Sequence, residues 1–286
     1  MKYTIFLCLF AVVLLSAKPV IGQRNNSGWV DSVYNSLTME QRIAQLLIIR
    51  AYSWKDSIYV DSLTRIVKKY NVGGVCFFKG SPAKQAILTN YLQKETQTPV
   101  LITIDAEWGL GMRLDSAFSF PRQMALGAIS NDSLIYAMGK IVGKSCRRLG
   151  IQVNFAPVAD INNNPKNPVI NFRSFGESRE HVAQKSILYM KGMQAEGIMA
   201  TAKHFPGHGD TDTDSHLTLP VINHARQRID SVELFPFKAL IREGVMGVMV
   251  AHLYVPSLDT SKNTPTTLSN MVISGLLKEQ LGFRGY

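Results

Sequence analysis

The sequence predicts an α/β fold: a (β/α)8 barrel of the TIM type that is incomplete, with about six of its eight strands present. Short apolar runs alternate with longer helical stretches, as they do in parallel α/β folds. Ionisable residues follow several of these runs, and barrels gather such residues at the carboxyl ends of their strands. No G-x-G-x-x-G turn occurs in the chain, which argues against a dinucleotide-binding, doubly wound sheet. The alternation alone permits either architecture, and the polar residues favour the barrel.

Residues 1–22 are predicted to be a secretory signal peptide. Lys2 supplies the positive start, and residues 5–15 form an apolar run that is short for a membrane span. Val20 and Gly22 fit the small residues expected before a cleavage site, with cleavage after Ala17 as the second choice. The mature protein, residues 23–286, is therefore expected to be exported to the periplasm or the extracellular space, without stable insertion into a membrane.

A helix is predicted to begin after Thr38. Thr38 is a suitable N-cap, and Gln41 completes a capping box three residues later. Ile43, Leu46 and Leu47 recur at helical spacing, so these residues are expected to belong to the same helix.

The apolar runs that follow are predicted to be parallel strands buried on both faces, because they are continuous rather than alternating. They are residues 72–78, 100–104, 151–155, 198–202 and 245–251. The longer stretches between them are predicted helices: residues 81–95, 132–149, 179–196 and 227–243. Strand–helix repetition of this kind implies right-handed βαβ units.

Ionisable residues lie at the carboxyl ends of different predicted strands: Asp105, Asp160, the pair Lys203 and His204, and His252. In a barrel these ends meet at one face, where active sites lie. On the residues alone, Asp105 is explained equally well as a strand-end cap or an ion-pair partner. His252 is predicted to be a packed histidine that bonds to the backbone rather than a participant at the catalytic rim.

The composition limits the classes of partner. The formal net charge is +10, but basic residues are scattered and no run of five like charges occurs, so a nucleic-acid partner is not predicted. Hydrophobic residues make up 46% of the chain, which fits a globular protein with a sizeable core. Cys76 and Cys146 remain after signal removal, and Cys76 lies in an apolar run, so buried free thiols are predicted rather than a disulfide.

Residues 203–216, KHFPGHGDTDTDSH, are the segment richest in reactive side chains. The segment is too polar and too rich in glycine to continue a strand or a helix, and is predicted to be a loop. One interpretation is a zinc site, from the His204-x3-His208 spacing together with His216. A proline and glycines exclude the helical i, i+4 face that such spacing needs, so no metal is predicted. The favoured interpretation is a proton-transfer pair, Asp214 and His216, because a carboxylate fixes the tautomer of histidine and raises its basicity.

Four blocks in order resemble glycoside hydrolase family 3, in its bacterial β-N-acetylglucosaminidase (NagZ-type) branch. They are IDAEWG at residues 104–109 with Arg113 at the expected distance, FAPVADINNNP at 155–165, NFRSFG at 171–176, and the segment at 203–216. The resemblance covers essentially all of the mature chain. Trp108 departs from it, since the family commonly has glycine there. This ring either stacks on a pyranose or fills the barrel mouth, and the sequence leaves both alternatives open.

The resemblance implies a (β/α)-barrel glycosidase that acts on carbohydrate without a cofactor or a metal. The residues that it implies for sugar binding in the −1 subsite are Asp105, Arg113, Arg173, Lys203 and His204. It gives His216 the acid/base role, assisted by Asp214. Such a pair differs from the two carboxylates of most glycosidases.

A retaining mechanism also needs a carboxylate nucleophile. In the family this aspartate ends the seventh strand, shortly after a segment that resembles residues 281–286, so it is expected beyond Tyr286. Asp259 lies in a loop rather than at a strand end, and is not assigned this role. The chain is therefore expected to be the N-terminal part of a catalytic domain, inactive or nearly so by itself.

The leading functional hypothesis is retaining hydrolysis of terminal, non-reducing β-linked N-acetylglucosamine. Substrates of the muropeptide or chitooligosaccharide type are expected, as in peptidoglycan turnover. One alternative is a phosphorylase on the same fold, because a neutral histidine repels an incoming phosphate less than a carboxylate does. A second alternative is a carbohydrate-binding protein without catalysis. The sequence does not indicate an oligomeric state.

Overall fold

The structure is a computed structural model that describes residues 27–213 and 218–286. The predicted signal peptide, residues 1–22, lies outside the described residues. The N-terminal unit contains helix α1 (Ser27–Ser36), and a second, compact unit extends from Met39 to Tyr286. Within the described ranges, no helix is both long enough and apolar enough to cross a membrane.

The compact unit is built on a parallel sheet to which the described residues contribute six strands, in the order β1 to β6. The strands are β1 (Ile48–Tyr52), β2 (Gly74–Lys79), β3 (Leu101–Ile104), β4 (Val153–Asn154), β5 (Met199–Phe205) and β6 (Gly247–Val250). Each strand pairs with the next one along the chain, whereas a doubly wound sheet reverses its order at a switch point. The predicted barrel wall is confirmed, and it is unclosed.

Helices follow the strands along the chain. In the described residues the α-helices of the compact unit are α2 (Met39–Ala44), α3 (Ser57–Tyr70), α4 (Pro82–Glu95), α5 (Gln123–Gly127), α6 (Ser133–Arg148), α7 (Arg179–Ala195), α8 (Arg226–Ser231) and α9 (Phe235–Arg242). Shorter 3-10 helices span Leu110–Met112, Asn171–Arg173 and Thr266–Leu268, and a π-helix spans Met271–Gln280. The predicted helices at 81–95, 132–149 and 179–196 are confirmed as α4, α6 and α7.

Side-chain caps fix the starts of α3, α4 and α7. The Asp56 carboxylate accepts the Tyr59 N–H at 3.0 Å at the start of α3. The hydroxyls of Ser81 and Ser178 accept backbone N–H groups in the same way for α4 and α7. Each cap satisfies a backbone donor that the first helical turn leaves unpaired.

Helices α6 and α7 approach closely where Gly139 faces Gly192. A Cβ atom at Gly139 would lie 2.5 Å from the carbonyl oxygen of Tyr189, and one at Gly192 would lie 2.4 Å from that of Tyr136. Both distances are well inside van der Waals contact, so only glycine permits this packing. Because α7 also packs on β5, this contact supports the strand that carries Lys203.

Two boundaries near the ends of the compact unit differ from the prediction. Helix α2 ends at Ala44, and Leu46 and Leu47 are exposed residues before β1, a strand that the sequence did not predict. The apparent helical spacing is misleading because Ile43 is exposed as well. The predicted helix at 227–243 is divided into α8 and α9, since Pro236 in the first turn of α9 cannot donate a backbone hydrogen bond.

The strands behind the site also differ from the prediction. Strand β4 contains only Val153 and Asn154, and β5 continues to Phe205 instead of ending at residue 202. Lys203 and His204 were expected in a loop and instead belong to this strand. A strand can hold them because both are paired with carboxylates, as described below.

Cys76 and Cys146 are buried free thiols, as predicted. Burial raises the pKa of the Cys76 thiol to about 11 and that of the Cys146 thiol to about 12, because desolvation disfavours a thiolate. Both residues therefore pack as small apolar side chains.

Candidate active site

A cavity of about 580 Å³ opens at the carboxyl ends of the strands. Its wall includes every residue predicted to bind sugar: Asp105, Arg113, Arg173, Lys203 and His204. The rest of the lining is Phe78, Met112, Val169, His208, Met249, Val250, Ala251 and His252. The structure thus brings the predicted residues together from β5 and from the segments that follow β3 and β4. Their roles toward a sugar stay predictions.

Lys203 is the charged centre of the cavity floor, and its side chain is only 2% exposed. Its Nζ lies 2.6 Å from Asp105 Oδ1 and 2.7 Å from Glu107 Oε1. An isolated ammonium group at this depth would be very costly. Two carboxylates from the end of β3 supply the compensating charge, and for this reason a lysine can belong to a buried strand.

Glu107 joins Lys203 to Arg173. The guanidinium of Arg173 donates to both Glu107 oxygens, from Nε to Oε2 at 3.0 Å and from Nη2 to Oε1 at 2.5 Å. Burial alone would raise the pKa of Glu107, but attraction to Lys203 and Arg173 outweighs it and lowers the pKa to about 2. Arg173 also donates to the Val169 carbonyl at 3.1 Å. The guanidinium is therefore held in place with one side toward the cavity.

Arg113 fixes the other carboxylate of the floor. It donates from Nη2 to Asp105 Oδ2 at 2.5 Å and from Nε to the Asp105 carbonyl at 2.8 Å. Burial acts to raise the pKa of Asp105, and the attraction of Lys203 and Arg113 reverses this, so the pKa lies below its usual value. Asp105 is thus an ionised acceptor at the cavity wall.

Asp160 positions the His204 ring. Its Oδ2 lies 2.6 Å from His204 Nδ1, and its Oδ1 accepts the backbone N–H of His208 at 2.7 Å. Burial would raise the pKa of Asp160, and its contact with His204 lowers it overall. An ionised Asp160 accepts the proton on Nδ1, so Nε2 is the nitrogen left toward the cavity, 3.5 Å from Arg173 Nη2.

His208 belongs to the cavity lining but is only 1% exposed. Its Nδ1 lies 2.8 Å from Thr211 Oγ1, and the rings of His204 and His208 meet edge-on at 5.9 Å between centroids. Burial lowers the pKa of His208, which favours a neutral ring. The Nδ1 atoms of the two histidines are thus taken by separate hydrogen bonds.

The predicted proton-transfer residues Asp214 and His216 lie outside the described residues. The described residues on either side of them are joined, since His224 Nε2 lies 2.7 Å from Asp210 Oδ2. Arg228 adds a contact of 3.1 Å to Glu233 and one of 3.6 Å to Asp210. Asp210 and His224, on either side of the predicted pair, thus belong to one cluster that Arg228 and Glu233 complete.

The prediction for His252 is wrong. The side chain is exposed and lines the cavity, and its Nδ1 lies 2.7 Å from the side-chain hydroxyl of Thr267 rather than bonding to the backbone. Trp108 does not line this cavity. The guanidinium of Arg122 lies over its ring at 5.0 Å and over that of Phe172 at 4.1 Å, so the indole is part of a stack beside the site.

Sequence reasoning did not assign site roles to Glu107, Asp160 or His208. Glu107 follows the β3 end by three residues, where a carboxylate needs a cationic partner, and Lys203 and Arg173 were both available. Asp160 lies at the end of a predicted strand, but nothing near it in the sequence identifies His204 as its partner. The position of His208 depends on the backbone path after β5, which spacing along the chain does not give.

The unclosed parallel wall and the ionic cavity at its carboxyl ends define a (β/α)-barrel domain with a site for a polar ligand. The family model described as Glycosyl hydrolase family 3 N terminal domain matches residues 38–286, and the chain belongs to this family.

Individual relatives are similar over most of the chain. Beta-hexosaminidase A of Pseudoalteromonas piscicida is 38% identical over 246 residues, covering 78% of this chain and 41% of that protein. The solved glycoside hydrolase family 3 beta-N-acetylglucosaminidase from Paenibacillus sp. str. FPU-7 is 42% identical with a TM-score of 0.81, covering 87% and 48%. Beta-glucoside phosphorylase BglX bound to 2FGlc is 25% identical with a TM-score of 0.86, covering 95% and 50%. The chain spans about half the length of these proteins.

Proposed function

We propose that this chain carries the sugar-binding and proton-transfer residues of an enzyme that hydrolyses terminal, non-reducing β-linked N-acetylglucosamine with retention. The observation that carries the proposal is the cavity in which Lys203 lies between Asp105 and Glu107, beside Arg173 and His204. The relatives named beta-hexosaminidase and beta-N-acetylglucosaminidase support the choice of sugar.

The cavity suits a pyranose because it alternates acceptors and donors. Sugar hydroxyls donate and accept hydrogen bonds at once. In the proposed complex, Asp105 accepts from one hydroxyl, and Lys203 and Arg113 donate to its neighbours. His204 Nε2 and Arg173 offer a further acceptor and donor on the other side. Since the protein already fixes these groups by ion pairs, little ordering is needed on binding.

His216 is the proposed acid/base, assisted by Asp214, and this assignment rests on the sequence match. As an acid, His216 protonates the leaving oxygen while a carboxylate attacks the anomeric carbon to form a glycosyl-enzyme. As a base, it removes a proton from the water that releases the sugar. No residue of 1–286 is assigned to the nucleophile.

The deciding measurement is sugar binding to the chain by calorimetry or ligand-observed NMR. N-acetylglucosamine is expected to bind, and to bind more tightly than glucose. Lys203→Met is expected to abolish this binding even in samples whose circular dichroism spectrum matches the wild type, with Lys191→Met as the control at an exposed ion pair to Glu243. Absence of sugar binding would overturn the proposal. Assay on a chromogenic β-N-acetylglucosaminide then tests the expectation that these residues alone turn over little or no substrate.

Phosphorolysis is the second candidate, and the similarity to a beta-glucoside phosphorylase favours it. The two reactions differ in what receives the sugar. Hydrolysis yields free N-acetylglucosamine whether or not phosphate is present, whereas phosphorolysis yields a sugar 1-phosphate that depends on phosphate. Product analysis of an active form in both buffers separates them.

Export and the natural substrate class are also proposed from the sequence. Residues 1–22 support secretion to the periplasm or beyond, where muropeptides or chitooligosaccharides would be available. Cell fractionation and N-terminal sequencing of the mature protein test this proposal, and an intact N-terminus in the cytoplasm would contradict it.

A further inference from the structure

His252 provides a hydrogen-bonding group on the cavity wall formed by β6. The side chain is exposed, and it lines the same cavity as Lys203 and Arg173. Its Nδ1 is engaged by Thr267 Oγ1 at 2.7 Å. Among the described residues, no hydrogen bond is found for Nε2. This nitrogen is therefore the one available to a ligand in the cavity.

The position of Thr267 is fixed by its neighbour. Thr266 is buried, and its N–H donates to the Leu253 carbonyl at 2.7 Å. Its hydroxyl donates to the Ala251 carbonyl at 2.5 Å. These bonds attach the 3-10 helix Thr266–Leu268 to the residues on both sides of His252. His252 is consequently held through its two neighbours in the chain and through Nδ1 of its ring.

The surroundings of His252 are apolar. Met249, Val250 and Ala251 precede it in the lining, whereas the charged groups of the cavity lie elsewhere, at Asp105, Arg113, Arg173 and Lys203. A wall of this kind offers contact to a methyl group and, with one imidazole N–H, a single hydrogen bond to a carbonyl oxygen. An acetamido group presents a methyl and a carbonyl side by side, and a hydroxyl does not.

We infer that His252 is a specificity-determining residue that recognises the acetamido group of the sugar. The inference rests on the proposed function. In the inferred tautomer the ring proton is on Nε2, and the Thr267 hydroxyl donates to Nδ1. Nε2–H then donates to the acetamido carbonyl, and the methyl group packs on the apolar wall. Glucose, which lacks the acetamido group, gains neither contact.

The test compares N-acetylglucosamine and glucose binding in wild type and four variants. His252→Ala is expected to weaken binding of N-acetylglucosamine about five- to tenfold, the worth of one hydrogen bond, and to leave glucose binding unchanged. His252→Asn keeps an N–H donor and is expected to lose less. Thr267→Val removes the bond that fixes the ring and is expected to reduce the preference, whereas Thr267→Ser is expected to retain it. A purely structural role for Thr267 would not alter the ratio between the two sugars.

The possible failures are distinguishable. A wild-type chain without preference for N-acetylglucosamine overturns both the proposed function and this inference. A preference that survives His252→Ala overturns this inference alone, as does an equal loss of affinity for both sugars. Since His252 is exposed, the alanine variant is expected to fold, and circular dichroism spectra matching wild type are the control for the comparison.

Discussion

The Nζ atom of Lys203 lies 2.7 Å from Glu107 Oε1, and the two side chains are only 2% and 0% exposed. This pair links β5 to the loop after β3, and Asp105 and Arg173 extend it on either side. Buried charges offset their desolvation only when all their partners are present. The residues that shape the candidate site are therefore also those that the fold depends on.

Lys203→Met should destabilise the protein strongly. The substitution leaves Glu107 and Asp105 buried without their shared cation, and breaking a buried pair costs about 3–5 kcal/mol. Urea unfolding at neutral pH measures the loss. Lys191→Met, at an exposed ion pair with Glu243, should leave the free energy of unfolding unchanged. Equal effects of the two substitutions would show that the buried network contributes no more to the free energy of unfolding than an exposed ion pair does.

Stability should fall steeply in acid. The pKa of Glu107 is lowered from 4.5 to about 2 in the folded protein, and those of Asp105 and Asp160 are lowered as well. Between these values the unfolded state binds more protons than the folded state, so acid favours unfolding. The stabilisation is complete above about pH 5 and is lost as the pH falls toward about 2.

Urea titrations between pH 7 and pH 3 measure this dependence. Glu107→Gln should flatten the slope and lower stability at pH 7, because Lys203 and Arg173 lose a carboxylate. Glu279→Gln, at an exposed side chain, should keep the wild-type slope. A wild-type free energy of unfolding that is constant over this range would contradict the lowered pKa of Glu107.

Asp160→Asn should weaken sugar binding although Asp160 does not line the cavity. The carboxylate orients His204 through Nδ1 at 2.6 Å and also accepts the His208 N–H. An amide of the same size loses the charge-assisted bond, and a loss of about tenfold or more in affinity for N-acetylglucosamine follows. Calorimetry measures it, with the exposed Asp115→Asn as control. Unchanged affinity would show that His204 needs no such support.

Gly209→Ala should destabilise the segment that follows β5. A Cβ at Gly209 would lie 1.6 Å from the Ile161 carbonyl oxygen, so one of two packed backbone segments must move. Overpacking of this kind costs about 1–3 kcal/mol or more. Gly275→Ala has no atom within 4 Å of the new methyl and should leave the melting temperature unchanged or raise it. Thermal unfolding of both variants tests this prediction. An unchanged melting temperature for Gly209→Ala would contradict the close packing of Gly209 on Ile161.

The sequence was sufficient to predict the order of the strands from β2 to β6. It was also sufficient to predict the cavity residues that directly follow an apolar run. Continuous apolar runs identified β2 through β6 because parallel strands are buried on both faces. Asp105, Lys203 and His204 could be predicted at one face since the carboxyl ends of such strands converge. Strand β1 was missed because residues 46 and 47 before it are exposed leucines that imitate a helical repeat.

The remaining features depend on contacts between distant segments. Glu107 pairs with Arg173 and Lys203, which are 66 and 96 positions away in the sequence. No local sequence pattern indicates such pairing. His252 is predicted to be packed and bonded to the backbone, yet its side chain is exposed and its Nδ1 contacts the Thr267 hydroxyl. The positions of Asp214 and His216 stay predictions.

The register shift between Lys203 and Phe205 has a consequence for insertions and deletions in this strand. Lys203 pairs with Met249, and Phe205 pairs with Val250, so β5 advances two residues while β6 advances one. In a regular strand, neighbouring side chains point to opposite faces. The extra residue in β5 changes the direction of the strand locally. As a result, two consecutive side chains, Lys203 and His204, reach the same cavity. Deleting one residue here would restore strict alternation and turn one of the two away, even if every other residue of the site were kept.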